Sequence, residues 1–315
     1  MSEVRPSGTG VKPNGSLDLK QRIKTHYDNV TDKYISAWGQ HIHHGYFNDQ
    51  HEDKSQVQVN LINVLLEISS LGRNSKVLDI GCGVGGTSRF LARELGCAVT
   101  GITISSRQVE LAQSLTAAEI KSLPSPKSTQ TPGAGDFMHY PNAGSARFLE
   151  LDAGNISSRF DKESFDCVWI CEALYHIPDK ERVFSDAFSL LAPGGSKLII
   201  ADWFKAPDLD SQKEAQYISP IETGMLTQPL HTMNEYVSMA EKAGFTVRQA
   251  PKDITQKVSP TWEKIAENPF TTFGIWLLAI WIGRDGIGYV KGMKAMKRGY
   301  ASGAFKYAIM CFEKR

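Results

Sequence analysis

Apolar residues fall at two different periods along this chain, and the change of period divides it. Before residue 70 the spacing is helical. Leu61, Val64, Leu65 and Ile68 lie three and four apart, so residues 18–70 read as a helical cap. From residue 71, short apolar runs alternate with helical stretches, the pattern of a parallel sheet wound with helices. The predicted strands are Lys76–Ile80, Ala98–Thr103, Ala146–Leu151, Phe165–Cys171 and Lys197–Trp203. The helices between them are Thr87–Leu95, Ser106 to about Glu119, and Lys180–Leu191. Residues 71–205 therefore form the core. Residues 206–315 are expected to supply a lid, further cap helices and two more strands. Ala206–Leu230 reads as irregular and Met233–Ala243 as a helix, with Gly244 capping it before a strand at Phe245–Gln249. A helical insertion follows, and Phe305–Phe312 alternates as the last strand.

Two segments stand outside this rhythm. Residues 1–17 are rich in Ser, Gly, Pro and Lys and lack the apolar stretch of a signal peptide, so a disordered tail is expected. Residues 121–144 hold four prolines and no periodicity, and read as a surface insertion. Phe270–Gly283 is the longest apolar stretch. It falls short of the roughly 18–20 residues a bilayer requires. A packed helix is expected there, with docking on a membrane or a lipophilic substrate as the alternative.

Composition narrows the function classes. The chain has 315 residues, a net charge of +1 and 41% apolar residues, which suits one elaborated domain and argues against nucleic acid as the main partner. The five cysteines form no CxxC pair and no zinc spacing; they read as reduced thiols in a cytoplasmic protein. The histidines His41, His43, His44 and His51 make no helical H-x-x-x-H pattern and have no fixed carboxylate partner, so no metal is expected.

The chemistry concentrates at Val77–Gly86, where an apolar strand ending in Asp79 runs into the turn Gly81-Cys82-Gly83-Val84-Gly85-Gly86 and then a helix. Glycines let the backbone approach a nucleoside, and the helix N-terminus offers unpaired N–H groups. Gly81, Gly83 and Gly86 satisfy the dinucleotide spacing, but a dehydrogenase wants an acid at the end of the second strand. That strand ends Thr103-Ile104-Ser105. Asp79 would also repel a pyrophosphate. It suits a ligand carrying an amino group and no phosphate, and S-adenosylmethionine is such a ligand.

Val77–Gly86 resembles motif I of the class I S-adenosylmethionine-dependent methyltransferases, in particular the group holding tocopherol, sterol and alkaloid methyltransferases and cyclopropane synthases. The resemblance extends over about residues 22–315. It includes His26-Tyr27-Asp28 and Trp38–Tyr46 in the cap, Gly101–Gln108, Asp152-Ala153, Phe165–Trp169, Glu172 through His176–Asp179, and the ending from Gly288. It implies a Rossmann-like, doubly wound α/β sheet of seven strands with the last antiparallel. It also implies roles. Asp79 orients the methionine ammonium, and Gly81, Gly83 and Gly85 shape the loop. Thr103, Ile104 and Gln108 lie toward the ribose, and Asp152 and Ala153 toward the adenine. Tyr27, Trp38 and Gly39 close over the donor, although packing of an amphipathic helix accounts for the same residues.

His176 is the first candidate for general base. It lies four residues after Glu172, so in a helical turn the two would share a face and the carboxylate would raise the imidazole pKa. His43 and His44 are the alternates. The expected activity is methylation at O, N or C of a small, fairly lipophilic acceptor, in specialised metabolism. Phe270, Phe273, Trp276 and Trp281, with Tyr217 and Tyr289, supply an aromatic surface for it. The competing readings are a nicotinamide-dependent oxidoreductase, disfavoured by Asp79 and the missing acid, and a catalytically silent S-adenosylmethionine-binding protein.

Overall fold

A computed structural model describes residues 15–124, 136–266 and 283–315. Its centre is one sheet built from β1 (Lys76–Ile80), β2 (Ala98–Thr103), β3 (Met138–His139), β4 (Ser145–Glu150), β5 (Cys167–Cys171), β6 (Ser196–Lys205), β7 (Thr246–Asp253) and β8 (Phe305–Lys314). The spatial order is β3-β4-β2-β1-β5-β6-β8-β7. Strands β4, β2, β1, β5 and β6 run parallel, and β8 is antiparallel between β6 and β7. All seven expected strands are present.

The sheet has an eighth strand that the sequence reading lacked. β3 pairs antiparallel on the outer edge of β4, with Met138 opposite Ala146 and His139 opposite Ser145. It falls inside the segment read as a surface insertion, yet Met138 and Tyr140 are buried. A two-residue strand is too short to show a period. A second correction concerns Ala206–Leu230. Ser211–Met225 is helical, as α7 (Ser211–Lys213), a π-helical turn at Glu214–Ile218 and α8 (Ser219–Met225). Pro220 sits in the first turn of α8, where a missing N–H costs little. The broken segments hide the helical period.

Strand alternation sends side chains to two cores. Val77, Cys167, Trp169, Ile199 and Trp203 face one side, under α2 (Lys54–Ser69), α3 (Gly86–Leu95), α4 (Ser106–Ser122) and α12 (Arg284–Ser302). Leu78, Ile80, Val168, Ile170 and Leu198 face the other, under α5 (Ile156–Arg159), α6 (Lys180–Leu190) and α9 (Met233–Lys242). The short helices α10 (Thr255–Val258) and α11 (Thr261–Ala266) follow β7. Among the described residues no helix is long and apolar enough to cross a membrane. Phe270, Phe273, Trp276 and Trp281 lie outside the described residues, as does 1–14 of the expected tail.

Strand order reverses beside β1, so the C-terminal ends of β1, β2, β4 and β5 border one crevice, the usual ligand position in such sheets. α1 (Gly15–Trp38) crosses that crevice. It is tied down by Ser105 Oγ donating to Asp28 (2.6 Å), Lys24 Nζ donating to the Ile104 carbonyl (2.8 Å) and to Glu150 (2.7 Å), and Arg107 paired with Asp32 (2.8 Å).

Candidate active site

The crevice under α1 holds one continuous cavity of about 410 Å³. Strand ends and backbone build one half of it. Asp79 is the penultimate residue of β1 and is buried beneath the glycine turn, where Ser88 Oγ donates to its Oδ2 at 2.6 Å. Burial pushes its carboxyl up to about 6. Gly81 takes φ +78°, and a Cβ there would lie 2.4 Å from Ala173 Cβ, so any side chain would collide with the turn after β5. At Gly83 a Cβ would meet nothing within 4 Å, and the loop backbone opens onto the cavity. Thr103 Oγ1 donates to Gln108 Oε1 at 2.6 Å and turns the amide nitrogen the other way. Asp152 accepts from the Gly154 N–H at 2.9 Å and pairs with Lys20 of α1.

Side chains from distant segments build the other half. Tyr175 stacks on Trp203 with centroids 4.0 Å apart and planes 9° apart. Tyr27, Tyr34, Trp262 and Tyr289 complete an aromatic wall. His176 sits in the 3₁₀ turn Leu174–His176. Its Nδ1 lies 3.0 Å from the Leu226 carbonyl, so Nδ1 carries the hydrogen. Nε2 then accepts from the Tyr27 hydroxyl at 3.0 Å. Burial lowers the imidazole to about 3, which keeps it neutral.

The expected Glu172–His176 partnership is not what forms. Glu172 takes φ +53°, a left-handed conformation rare outside glycine, and its carboxylate turns toward the cap. It accepts from the His44 N–H (2.6 Å), from His44 Nδ1 (2.9 Å) and from Tyr307 OH (2.9 Å). Burial alone would raise the carboxyl; the His44 imidazole and these hydrogen bonds hold it below its ordinary value. Glu172 and His176 do not share a helical face because the chain bends at Glu172 before the 3₁₀ turn begins. Glu172, His43 and Cys171 also lie within 4.8 Å of one another. Since both Glu172 oxygens already accept hydrogen bonds, this group reads as a polar network.

Most candidates converge. Tyr27, Trp38, Gly81, Gly83, Thr103, Ile104, Gln108, Asp152, Ala153, Glu172 and His176 all line the cavity. Four do not. Asp79 lies just behind the glycine turn. Gly85 starts α3 and faces Phe148. Gly39 ends α1 and lines a separate, smaller cavity. His44 is wholly buried behind Glu172. The sequence reading passed over Lys20, Tyr34, Tyr175 and Trp203. No local motif marks them. Their common signal is aromatic or basic character in segments already assigned to the cap and strand ends.

Residues 39–250 match a family model described as a methyltransferase domain. The chain belongs to that family. It is an S-adenosylmethionine-dependent methyltransferase, which sets aside the oxidoreductase reading. Tocopherol O-methyltransferase of Arabidopsis thaliana is 27% identical to this methyltransferase over 319 residues, covering 94% of this chain and 82% of that protein. Among solved structures, the mycolic acid cyclopropane synthase CmaA1 complexed with SAH and CTAB superposes with a TM-score of 0.74 at 19% identity, over 93% of this chain and 98% of the other. The [4+2]-cyclase SpnF gives 0.72 at 21% identity, over 98% and 99%. A cyclase on this fold is a reminder that fold and reaction separate.

The methyltransferase's cavity suits the cofactor chemically. A buried carboxylate behind the glycine turn matches an ammonium group. The open backbone at Gly83 admits close approach, and the polar ends of β2 and β4 match ribose and adenine.

Proposed function

We propose that this enzyme methylates a small acceptor with a largely apolar body and one polar nucleophile. The aromatic wall facing the Tyr27–His176 pair carries this reading, because a hydrophilic amine would leave that wall in contact with water. The tocopherol, sterol and geranyl diphosphate methyltransferases among its relatives and structural neighbours agree with it.

On this reading the cofactor half holds the donor. Asp79 favours the ammonium through its negative charge, Gly81 and Gly83 admit the methionine portion, and Thr103, Ile104 and Gln108 border the ribose. Asp152 and Ala153 border the adenine. When bound, S-adenosylmethionine supplies an already electrophilic methyl group. The protein's remaining work is alignment and proton removal.

Tyr27 and His176 handle the proton. After attack, a hydroxyl or amine nucleophile still carries its proton and has become a much stronger acid, so a weak base suffices. The acceptor's proton passes to the Tyr27 oxygen as the Tyr27 proton moves to His176 Nε2. The Leu226 carbonyl holds the ring in register for this. Glu172, fixed by His44 and Tyr307, borders the same space and sets its polarity.

The test is incubation with trideuteromethyl S-adenosylmethionine and two panels, one of phenols, quinols and prenylated alcohols, the other of glycine and ethanolamine. Mass spectrometry should find label in the first panel. Label confined to the second would sink the lipophilic reading. Donor binding by calorimetry with no label in either panel would point to the silent reading.

A further inference from the structure

We propose that the hydroxyl pair Tyr34–Tyr289 holds a second oxygen of the acceptor, so that the substrate carries a lone-pair oxygen apart from the group that is methylated. The inference deepens the lipophilic-acceptor reading and rests on it. Its evidence is a count of hydrogens at the two polar ends of the aromatic wall. At one end every hydrogen is spent. His176 Nδ1–H donates to the Leu226 carbonyl at 3.0 Å, and the Tyr27 hydroxyl donates to His176 Nε2 at 3.0 Å. Tyr175 is hydrogen-bonded to Tyr27, whose single hydrogen is already placed, so Tyr175 is the donor. This end takes a proton and has none to offer.

The other end has one hydrogen to spare. His26 of α1 is buried, its Nε2 lies 2.9 Å from the Tyr34 hydroxyl, and its Nδ1 has no hydrogen-bond partner among the described residues. Burial lowers the imidazole to about 4, so the ring is neutral and carries one hydrogen. On Nδ1 that hydrogen would be a buried donor without an acceptor, a rare defect in folded proteins. It therefore sits on Nε2 and goes to the Tyr34 oxygen. The Tyr34 and Tyr289 hydroxyls are hydrogen-bonded to each other, with ring centroids 5.8 Å apart. Two bonds thus join three groups that hold three hydrogens. The third stays on one hydroxyl of the pair, and both residues line the cavity. A hydroxyl donor against an apolar wall costs free energy until an acceptor atom meets it. A carbonyl, ether or hydroxyl oxygen of the substrate is such an atom. The two ends share one wall, because the His26 ring lies 5.5 Å from Tyr27 and 5.3 Å from Tyr289, so one small molecule reaches both.

The experiment gives the enzyme trideuteromethyl S-adenosylmethionine and competing pairs of prenylated phenols. The members of a pair differ only in a methoxy group on one where the other has ethyl, placed ortho, meta or para to the hydroxyl. The ratio of labelled products reads the ratio of kcat/KM. In at least one pair the methoxy member should be favoured about 3- to 10-fold, the worth of one neutral hydrogen bond. Combining Tyr34→Phe with Tyr289→Phe removes both hydroxyls and should bring that ratio to about one, while S-adenosylmethionine binding by calorimetry shows the variant folded. Equal labelling in every wild-type pair would overturn the proposal whatever the variant does, and would leave the lipophilic-acceptor reading standing. A preference that survives in the folded double variant would overturn it too. No label on any phenol, with the donor bound, would remove the proposal together with the reading it rests on.

Discussion

The two halves of the cavity are built in different ways. The half proposed to hold the donor is backbone and strand ends: Gly81 and Gly83 follow β1, Thr103 ends β2 and Asp152 follows β4, so the sheet itself fixes them. The half proposed to hold the acceptor is side chains. Tyr27 comes from α1, His176 from the turn after β5, Leu226 from the end of α8, Trp262 from α11 and Tyr289 from α12. A subsite made of backbone tolerates few residue types, because a Cβ in the wrong place blocks it. A subsite made of side chains can be relined while its supporting helices remain.

The halves meet at Ala173 and Glu172, and the largest expected effect lies there. His44→Ala would leave the buried Glu172 carboxylate without its imidazole partner. Breaking a buried pair in this way costs about 3–5 kcal/mol, read as a lowered urea midpoint. A loss under about 1 kcal/mol would mean that water reaches Glu172.

Two glycines sharpen the contrast between stability and binding. Gly81→Ala places a methyl 2.4 Å from Ala173 Cβ in a backbone at φ +78°, for an expected loss of about 2–4 kcal/mol. Gly83→Ala meets no neighbour. It should cost only about 1–2 kcal/mol for its left-handed backbone, while the methyl obstructs the donor. Calorimetry and thermal unfolding on both variants separate the cases. Similar stability losses in the two would show that the turn shifts to make room.

Asp79 should show opposite signs for folding and function. Its folded pKa, about 6, lies above the ordinary 3.8. The folded state therefore keeps a proton that the unfolded chain releases, and this contribution to stability is lost as pH rises from about 4 through 6. Asp79→Asn removes the penalty, so the cofactor-free protein should gain up to about 2–3 kcal/mol at pH 8. Cofactor affinity should fall about 10- to 100-fold, the worth of one charge-assisted contact. Wild-type affinity should rise with pH until the carboxylate is ionised. A flat profile from pH 5 to 7.5 would remove Asp79 from donor binding.

The same division governs what could be read from residues alone. The Val77–Gly86 pattern, the strand periods and the polar ends of β2 and β4 are local, and they lead to the cavity, which Ile80, Gly81, Gly83, Thr103, Ile104, Gln108 and Asp152 line. Gly39 and Gly85 were placed by proximity to a motif and face elsewhere. Glu172 and His176 were paired by helical spacing across a residue at φ +53°, which no periodicity reveals. The contacts that define the acceptor half span long stretches of chain. Tyr27 reaches His176 across 149 residues and Glu172 reaches Tyr307 across 135. Such pairings depend on how helices pack on the sheet, and packing leaves no mark at fixed sequence spacing.

One substitution tests those long-range pairings most directly. Tyr27→Phe removes one hydroxyl and keeps the ring, so the wall remains and the link to His176 Nε2 is lost. Turnover should fall about 100-fold or more, the range of one proton-transfer group, with donor affinity within about twofold of wild type. Because burial holds His176 neutral down to about pH 3, the wild-type pH–rate profile should show no inflection near 6.5 from this ring. Such an inflection, moved by His176→Gln, would show the imidazole titrating in solvent and the pair open. Unchanged turnover in Tyr27→Phe would mean that alignment alone suffices and the proton leaves to water.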